Sequence, residues 1–311
     1  MSRVRRTLVV VLLLLAVALG AAARYDRPPV TPGSWLAAAG LLARYQTVAT
    51  QRVRLVRAGT GSSVVLIHGF GSSIYTWKDV IPALAARHDV VALDLPGFGG
   101  SARPADLSLQ AFPEVVIGLM DRLGIERAAL VGNSMGGATA AIVAATAPLR
   151  VSRLVLLDAA NFNMEPEARP FMVRLTTSWA APVLGLLPGK RLLVERSLRQ
   201  VFHDDALVTE ERVSEYLAPA QRPGTFLALR SLGASFDAGR SRVAEVLGDI
   251  TAPTLVVWGD DDRWIPLAHA DRFVEGIAGA RKLVIPACGH MPQEEKPAEV
   301  ARLVLEFLDS N

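Results

Sequence analysis

Short apolar runs alternate with helical stretches along most of the chain. The runs, which have the length of buried strands and are rich in Val, Leu and Ile, lie at residues 64–67, 90–93, 128–131, 154–157, 254–257 and 283–285. The helical stretches lie at residues 77–87, 109–123, 137–147, 267–277 and 298–308. Strands and helices that alternate in this way form a mostly parallel central sheet with helices on both faces. The pattern therefore predicts an α/β fold whose first clear strand is at 64–67.

This alternation stops after Asp158 and resumes only at Thr254. Residues 161–250 show helical patterns and turn signals, without clear strands. We therefore predict an inserted helical cap at 161–250 that divides the core into a first part, 51–160, and a second part, 251–311.

The N-terminus has a different pattern. Arg3, Arg5 and Arg6 precede an uncharged run over 7–23, and the part from Leu8 to Leu19 is apolar on every helical face. Such a segment is typical of a signal peptide cleaved after residue 23, or of an uncleaved membrane anchor with Arg5 and Arg6 on the cytoplasmic side. Both alternatives place the body in the cell envelope, anchored or exported.

Residues 24–50 are predicted to be a linker followed by a helix. Pro28, Pro29 and Pro32 favour an extended tether. The stretch 34–45 is rich in Ala and Leu, which predicts a helix packed on the body or lying on a membrane surface.

Composition and charge exclude several classes of protein. The 311 residues are 51% hydrophobic and 20% charged, which is a globular balance. The net charge is only +3, and three of the positive charges lie at the extreme N-terminus, so no binding surface for nucleic acid is expected. Cys288 is the one cysteine, which excludes an internal disulfide, and no Cys and His cluster has the spacing of a zinc site. We expect neither a metal nor a cofactor.

Candidate chemistry begins with Ser134. It lies in the segment GNSMG (132–136), after a predicted strand and before a predicted helix, which is the pattern of a nucleophile elbow. The glycines are needed because the chain must reverse sharply there, and side chains at those positions would collide with neighbouring backbone. Ser134 is therefore the candidate nucleophile.

A serine nucleophile needs a general base and a carboxylate that orients the base. Of the five histidines, His290 follows the last predicted strand at the carboxyl edge of the sheet, where the serine elbow also emerges. The loop after residue 258 offers Asp260, Asp261 and Asp262; we select Asp262, with the other two and Asp158 as alternatives.

The negative charge that develops on a substrate carbonyl requires waiting hydrogen-bond donors. The candidates are two backbone N–H groups. Met135 supplies one at the start of the elbow helix, and Phe70 supplies the other in the turn after the first clear strand.

Five ordered motifs now point to a known family. They are HGFGSS (68–73), DLPGFGGS (94–101), GNSMGG (132–137), WGDDDRWIP (258–266) and GHMPQEEKP (289–297). From about residue 50 to the C-terminus the chain resembles the α/β-hydrolase family. That resemblance implies the fold, a helical cap, and Ser134, Asp262 and His290 as a catalytic triad. Serine at the elbow argues against the haloalkane dehalogenase and epoxide hydrolase branches, which use Asp there.

The resemblance leaves the substrate open. The expected activity is that of a carboxylesterase or lipase-like enzyme acting on an apolar small-molecule or lipid-like ester, with membrane contact through the N-terminal segment. The alternative is a hydrolase of carbon–carbon bonds in meta-ring-fission products, whose elbow is similar to GNSMGGAT (132–139). Those enzymes commonly carry Trp where Met291 stands, and a cap arginine that the sequence does not identify. A non-catalytic binding protein on the same fold is a third possibility.

The cap would select the substrate. Its candidate lining residues, which otherwise form the core of the cap itself, are Phe162, Met164, Phe171, Met172, Trp179, Phe202 and Phe226.

Overall fold

An eight-stranded sheet runs through the part of the chain that the computed structural model describes, which is residues 3–28, 30–160, 169–238 and 242–310. The strands are β1 (Arg44–Val48), β2 (Gln51–Ala58), β3 (Ser63–Ile67), β4 (Asp89–Leu93), β5 (Ala128–Asn133), β6 (Val151–Leu157), β7 (Thr254–Gly259) and β8 (Arg281–Ile285). The helices are α1 (Arg3–Tyr25), α2 (Ser34–Ala38), α3 (Ile81–Ala85), α4 (Ala111–Arg122), α5 (Met135–Thr146), α6 (Phe171–Thr177), α7 (Ala181–Leu186), α8 (Lys190–Val201), α9 (Glu210–Gln221), α10 (Thr225–Ala238), α11 (Arg242–Val246), α12 (Ala268–Gly276), α13 (Pro292–Glu295) and α14 (Pro297–Asp309).

The strand order is β1-β2-β4-β3-β5-β6-β7-β8. β2 pairs antiparallel with β1 and with β4, and every pair from β4 to β8 is parallel. The predicted α/β class with a mostly parallel sheet is confirmed, and each of the six predicted strands coincides with one of β3 to β8.

Alternating side chains divide the core between the two faces of the sheet. In β3, Val65 and Ile67 pack into one apolar cluster, whereas Val64 and Leu66 pack into another. Because successive side chains of a strand point to opposite faces, both faces are covered and the run is apolar throughout. Complete burial of both faces explains why β3 could be recognised in the sequence.

The prediction for residues 34–50 was wrong in part. The helix is only Ser34–Ala38, and the chain then forms β1, so the sheet begins at Arg44 rather than after residue 50. β1 is an edge strand whose side chains are mostly exposed, and polar residues dominate it, so it has no apolar signal. β2 does alternate, with Val53 and Leu55 buried, but the intervening arginines hid it from a search for apolar runs.

The predicted helix at 77–87 is also shorter than expected. Residues Ile74–Trp77 form a 3₁₀ turn, and α3 begins only at Ile81. Pro82 occupies the first turn of α3, where its missing N–H costs nothing, so the α-helix starts there and not earlier.

Helices α6 to α11 lie between β6 and β7 in the chain, in the stretch predicted as an insertion. Phe202, Leu198 and Val213 form a small apolar cluster together with Met291 of the following core segment. A buried ion pair adds to this junction: Arg212 of α9 lies 2.8 Å from Glu294 of α13, measured from Nε to Oε2. The inserted helices are therefore held to the sheet core next to the loop that carries His290.

Helix α1 contributes nothing to the core. Its apolar side chains from Leu8 to Leu19 are all exposed, and the window Thr7–Tyr25 has a mean hydropathy of 2.4. This is the length and composition of a membrane span or of a signal sequence.

Candidate active site

Ser134 occupies the sharp turn between β5 and α5. Its backbone has φ 54° and ψ −120°, a strained conformation for a residue with a side chain. The turn is held by the Ser134 N–H, which donates to the Leu157 carbonyl at 3.0 Å, and by the Ser134 carbonyl, which accepts from Ala160 N at 2.9 Å. β6 thus fixes the elbow from the side.

The glycines beside Ser134 allow this turn to pack against the sheet. A Cβ on Gly136 would lie 2.1 Å from the Ile67 carbonyl oxygen, and a Cβ on Gly132 would lie 2.4 Å from the Gly136 carbonyl oxygen. Both contacts are with backbone, which cannot move away. The steric reason inferred from the sequence for these two glycines therefore holds in the folded chain.

His290 and Asp262 form a buried pair. His290 Nδ1 lies 2.7 Å from Asp262 Oδ2, and the two residues are 2% and 7% exposed. The other carboxylate oxygen of Asp262 accepts from the N–H groups of Trp264 at 2.8 Å and Ile265 at 2.9 Å. A carboxylate held this way orients the imidazole.

Backbone contacts fix His290 from two directions. Its N–H donates to the Val201 carbonyl of α8 at 2.8 Å, and its carbonyl accepts from Asn133 Nδ2 at 3.1 Å. The Trp264 ring packs on the imidazole with 5.5 Å between centroids. Asn133 and Trp264 were not identified from the sequence as parts of the site, although they lie within the motifs at 132–137 and 258–266.

The two proposed oxyanion donors come from the segments next to Ser134. Met135 is the first residue of α5, so its N–H has no acceptor within the helix. Phe70 lies in the loop after β3, and among the described residues its N–H makes no hydrogen bond. A Cβ on Gly69 would lie 3.0 Å from Ser134 Cβ, so this loop closely approaches the serine.

His68 supports the loop rather than the chemistry. Its Nδ1 lies 2.7 Å from the Gly69 carbonyl oxygen, and its Nε2 accepts from Leu95 N at 3.0 Å. Burial lowers the pKa of the ring, which keeps it neutral and able to make both bonds. The structural interpretation of His68 from the sequence agrees with this geometry.

Of the alternative carboxylates, Asp158 alone is buried beside the pair. Oxygen atoms of Asp158 and Asp262 and a ring nitrogen of His290 lie within 4.8 Å of one another. Asp158 Oδ1 accepts from Gly259 N at 3.0 Å. Burial raises the pKa of the Asp158 carboxyl well above its usual range, and the neighbouring Asp262 raises it further. The neutral form of Asp158 is therefore favoured.

These three groups could in principle coordinate a metal ion. Their chemistry suits one poorly, because the 2.7 Å bond between His290 Nδ1 and Asp262 Oδ2 already occupies one donor atom on each residue. The other two alternatives lie elsewhere. Asp261 binds Arg263 and His203 at 2.7 and 2.9 Å, and the Asp260 carboxylate accepts a long hydrogen bond from Cys288 N, at 3.4 Å.

Ser134 and His290 line one cavity, which is partly open to solvent and, with the solvent at its mouth included, measures about 880 Å³. The inserted helices supply most of its apolar wall, which includes Met172, Leu193, Val194, Leu198, Phe226 and Leu229. The polar residues that the inserted helices add to this wall are Thr176, Lys190, Ser197, Tyr216 and Thr225, and no arginine lines the cavity among the described residues. A second cavity, of about 570 Å³, also reaches Ser134 and includes Arg169 in its wall.

The predicted lining residues divide among three environments. Met172 and Phe226 line the main cavity, whereas Phe202 is fully buried in the core of the inserted helices. Phe171 and Trp179 are 52% and 81% exposed. Phe162 and Met164 lie outside the described residues. The aliphatic wall of α8 was missed because its side chains follow ordinary helical spacing.

Cys288 agrees with its interpretation as a packed residue. It is fully buried, and burial raises the pKa of its thiol, so the reactive thiolate is suppressed.

Three comparisons with known proteins bear on this geometry. A family model described as alpha/beta hydrolase fold matches residues 62–297. A 2-hydroxy-6-oxo-6-phenylhexa-2,4-dienoate hydrolase of Comamonas testosteroni is 37% identical over 270 residues, covering 81% of this chain and 89% of that protein. The dihydrolipoyllysine-residue acetyltransferase component of the acetoin cleaving system of Pseudomonas putida is 36% identical over 252 residues. That match covers 80% of this chain but 64% of the relative, so the chain spans less than two thirds of its length.

A solved structure is similar over a longer part of the chain. It is a membrane phospholipase A, described as a bacterial virulence factor, with a TM-score of 0.74 and 28% identity, and the match covers 98% of each chain. Fewer residues of this chain are left unmatched than the 23 residues of α1, so the matched part extends into α1. The similarity therefore includes most of the apolar N-terminal helix.

Proposed function

Because the chain belongs to the α/β-hydrolase family, we propose that it is a serine hydrolase that cleaves carboxylic esters with an apolar acyl group. The observation that carries this proposal is the main cavity, whose wall is almost entirely apolar and which contains both Ser134 and His290. An acyl chain suits such a wall, because each buried methylene contributes about 0.8 kcal/mol. The few polar groups would orient the ester at the serine.

The residues would act in the following roles. Ser134 Oγ attacks the ester carbonyl carbon while His290 Nε2 takes its proton, and Asp262 stabilises the resulting imidazolium. The N–H groups of Phe70 and Met135 bind the oxyanion of the tetrahedral intermediate. Collapse of the intermediate expels the alcohol, which receives the proton from His290, and leaves an acyl-enzyme. Water then attacks the acyl-enzyme by the same route and releases the carboxylic acid.

The N-terminal helix supports a lipid as the source of the ester. α1 is long and apolar enough to span a bilayer, and the similarity to the membrane phospholipase A includes most of it. We propose that α1 is retained as an anchor and that the chain acts at a membrane surface of the cell envelope. The proposed division is an anchor at 1–23, a core that starts with β1 rather than at residue 51, and a substrate-selecting cap at 161–250.

Hydrolysis of a carbon–carbon bond is the second candidate, and by sequence similarity it is the better supported one. The substrate in the name of the Comamonas relative is a dienoate, an anion that calls for a cationic partner in the site. Arg169 lines the second cavity beside Ser134 and is the residue best placed for that role. The main cavity, in contrast, offers Lys190, whose ammonium group already donates to the Leu187 carbonyl at 2.7 Å.

A direct competition of substrates separates the two candidates. The full chain in detergent is offered chromogenic esters with acyl groups of increasing length, a phospholipid, and 2-hydroxy-6-oxo-6-phenylhexa-2,4-dienoate, beside Ser134→Ala and Arg169→Gln. We expect turnover of the esters, a preference for longer acyl groups, loss of all turnover in Ser134→Ala, and little change in Arg169→Gln.

The opposite pattern would support the second candidate. Rapid turnover of the dienoate with negligible ester cleavage, and a selective loss of dienoate turnover in Arg169→Gln, would overturn the ester proposal. A folded wild type that turns over none of these substrates would favour the non-catalytic binding protein.

A further inference from the structure

Exposed apolar side chains are concentrated on the inserted helices around α7. We call the group Trp179, Val183, Leu186, Leu187 and Leu192 the apolar ridge. Their exposed fractions are 81%, 55%, 85%, 47% and 61%. The surrounding sequence from 178 to 189 is SWAAPVLGLLPG and contains no charged residue. Isolated exposed apolar residues are ordinary, but such a concentration of them within residues 179–192 is typical of a binding surface.

The ridge lies beside the end of helix α1. Asp26, which follows α1 and is 7% exposed, accepts from the N–H groups of Gly189 at 2.7 Å and Arg191 at 2.9 Å. Tyr25, the last residue of α1, donates through its hydroxyl to Glu195 at 2.6 Å. The end of α1 is thus bonded directly to the start of α8.

The hydrogen bonds of Asp26 to the start of α8 limit how far the ridge can lie from a membrane that α1 spans. Leu187 is two residues from Gly189, so the chain between them spans no more than about 7 Å. If α1 spans a bilayer, Tyr25 lies at the interface, where tyrosine is enriched. Arg24 and Arg27 are exposed at the same level, and basic residues there are attracted to anionic lipids. If α1 spans a bilayer, the end of the ridge at Leu187 therefore lies close to the level of the lipid head groups.

Helix α8 joins the ridge to the candidate active site. Leu192 faces outward as part of the ridge, whereas the next residues, Leu193 and Val194, line the cavity that contains Ser134. One helix thus has an outer apolar surface and an inner apolar surface.

We propose that the apolar ridge inserts into the interfacial layer of a lipid bilayer beside the α1 anchor, and that acyl substrates enter the main cavity from that layer. The route for the substrate rests on the proposed function, whereas the docking of the ridge rests on the exposed side chains and on the bonds between Asp26 and α8. The occupant is the bilayer that α1 itself enters.

Spin labels test the docking without any turnover. Cys288 is buried, so a cysteine introduced at Leu186 can be labelled selectively. Leu149→Cys is the matched control: Leu149 is 88% exposed, but it precedes β6 at the amino edge of the sheet, away from Ser134. The full chain is reconstituted in vesicles that contain anionic phospholipid, and collisions of each label with oxygen and with a water-soluble nickel chelate are measured.

The expected result is a difference between the two labels. At position 186 the nickel collision rate falls several-fold relative to detergent solution and the oxygen collision rate rises, whereas at position 149 both stay unchanged. Equal and full access of nickel to both labels in vesicles would overturn the proposal. Broadening at position 186 that disappears on dilution with unlabelled protein would also overturn it, because a second copy of the chain would then cover the ridge.

Activity distinguishes the docking from the proposed function. Leu186→Glu is expected to turn over phospholipid in vesicles several-fold more slowly than Leu149→Glu, while the two variants hydrolyse a short water-soluble ester equally. If the label at position 186 is in lipid but neither ester is hydrolysed by the wild type, the docking stands and the ester proposal fails.

Discussion

The sheet core and the inserted helices hold the candidate site in different ways. In the core, the side chains of His290 and Asp262 are almost fully buried, and their backbone and side-chain atoms have specific hydrogen-bond partners. The inserted helices α6 to α11 meet the cavity mainly through aliphatic side chains, and Leu186 on α7 is 85% exposed. Under the proposed function, the core would carry out the reaction, and the insertion would select the substrate.

The largest effect is expected for Ser134 of the core, and a serine of the inserted helices provides the comparison. Ser134→Ala should reduce kcat by about 10⁴- to 10⁶-fold, because it removes the proposed nucleophile. Ser197→Ala is the matched change on the inserted helix α8: Ser197 also lines the cavity, but its hydroxyl donates to the Leu193 carbonyl within the helix. Its kcat should stay within a few-fold of the wild type. Equal losses in the two variants, measured by steady-state kinetics, would remove the distinction between the regions.

The tight packing of the core predicts a large loss of stability in Gly136→Ala. The added methyl group would lie 2.1 Å from the Ile67 carbonyl oxygen and 2.6 Å from the His68 carbonyl oxygen. Overpacking against backbone should lower the free energy of unfolding by about 3 kcal/mol. Gly248→Ala is the control, because no atom lies within 4 Å of the position its Cβ would take. Urea unfolding should show a change of less than about 0.5 kcal/mol there.

Replacement of the buried Asp158 carboxyl in the core should increase the stability of the fold. Folding keeps Asp158 neutral, whereas the unfolded chain ionises above the usual Asp pKa of about 3.9, so this group destabilises the fold as the pH rises above that value. Asp158→Asn removes this cost and retains an acceptor for Gly259 N. Its Tm should exceed that of the wild type at pH 7, and the difference should vanish near pH 3. A lower Tm at every pH would contradict this prediction.

Asp261 lies between the two regions, and its pKa is shifted in the opposite direction to that of Asp158. Its hydrogen bonds to His203, in the inserted segment, and to Arg263 lower its pKa. Its contribution to stability is therefore present above the usual Asp pKa and is lost as the pH falls. Asp261→Asn should be less stable than the wild type at pH 7, by no more than about 1 kcal/mol because the pair is near the surface. The difference should disappear in acid.

The smallest expected effect concerns how the inserted helices select the substrate. Leu193→Trp adds volume to the cavity wall on α8. Long acyl chains should then lose contacts worth about 0.8 kcal/mol for each methylene that no longer fits, or about fourfold in kcat/KM. Short esters should be hydrolysed as by the wild type. A uniform loss across all chain lengths would show that α8 does not select by length.

The sequence predicted most of the sheet core because its signals are local. β3 and β5 are buried on both faces and read as continuous apolar runs, and the glycines around Ser134 are required by the turn itself. β1 was missed because an edge strand needs no apolar face. The selection of Asp262 over Asp158 stays a prediction of role, although the bond to His290 Nδ1 favours it.

The cavity wall could not be predicted because it depends on how separate helices pack. Leu193 lines the cavity while its neighbour Leu192 is exposed, and the two side chains look alike in the sequence. The buried ion pair of Arg212 and Glu294 joins residues 82 positions apart, and no local sequence pattern at either residue predicts the pair. Long-range contacts of this kind emerge only in the folded chain.

Covalent labelling of Ser134 tests the central claim most directly. The full chain in detergent is incubated with an alkyl fluorophosphonate, and the adduct is mapped by mass spectrometry of its peptides. A single adduct on the peptide that contains Ser134 is predicted, which should persist in Ser197→Ala and disappear in Ser134→Ala. A folded wild type that remains unlabelled, or an adduct on another residue, would contradict the assignment of Ser134 as an activated nucleophile.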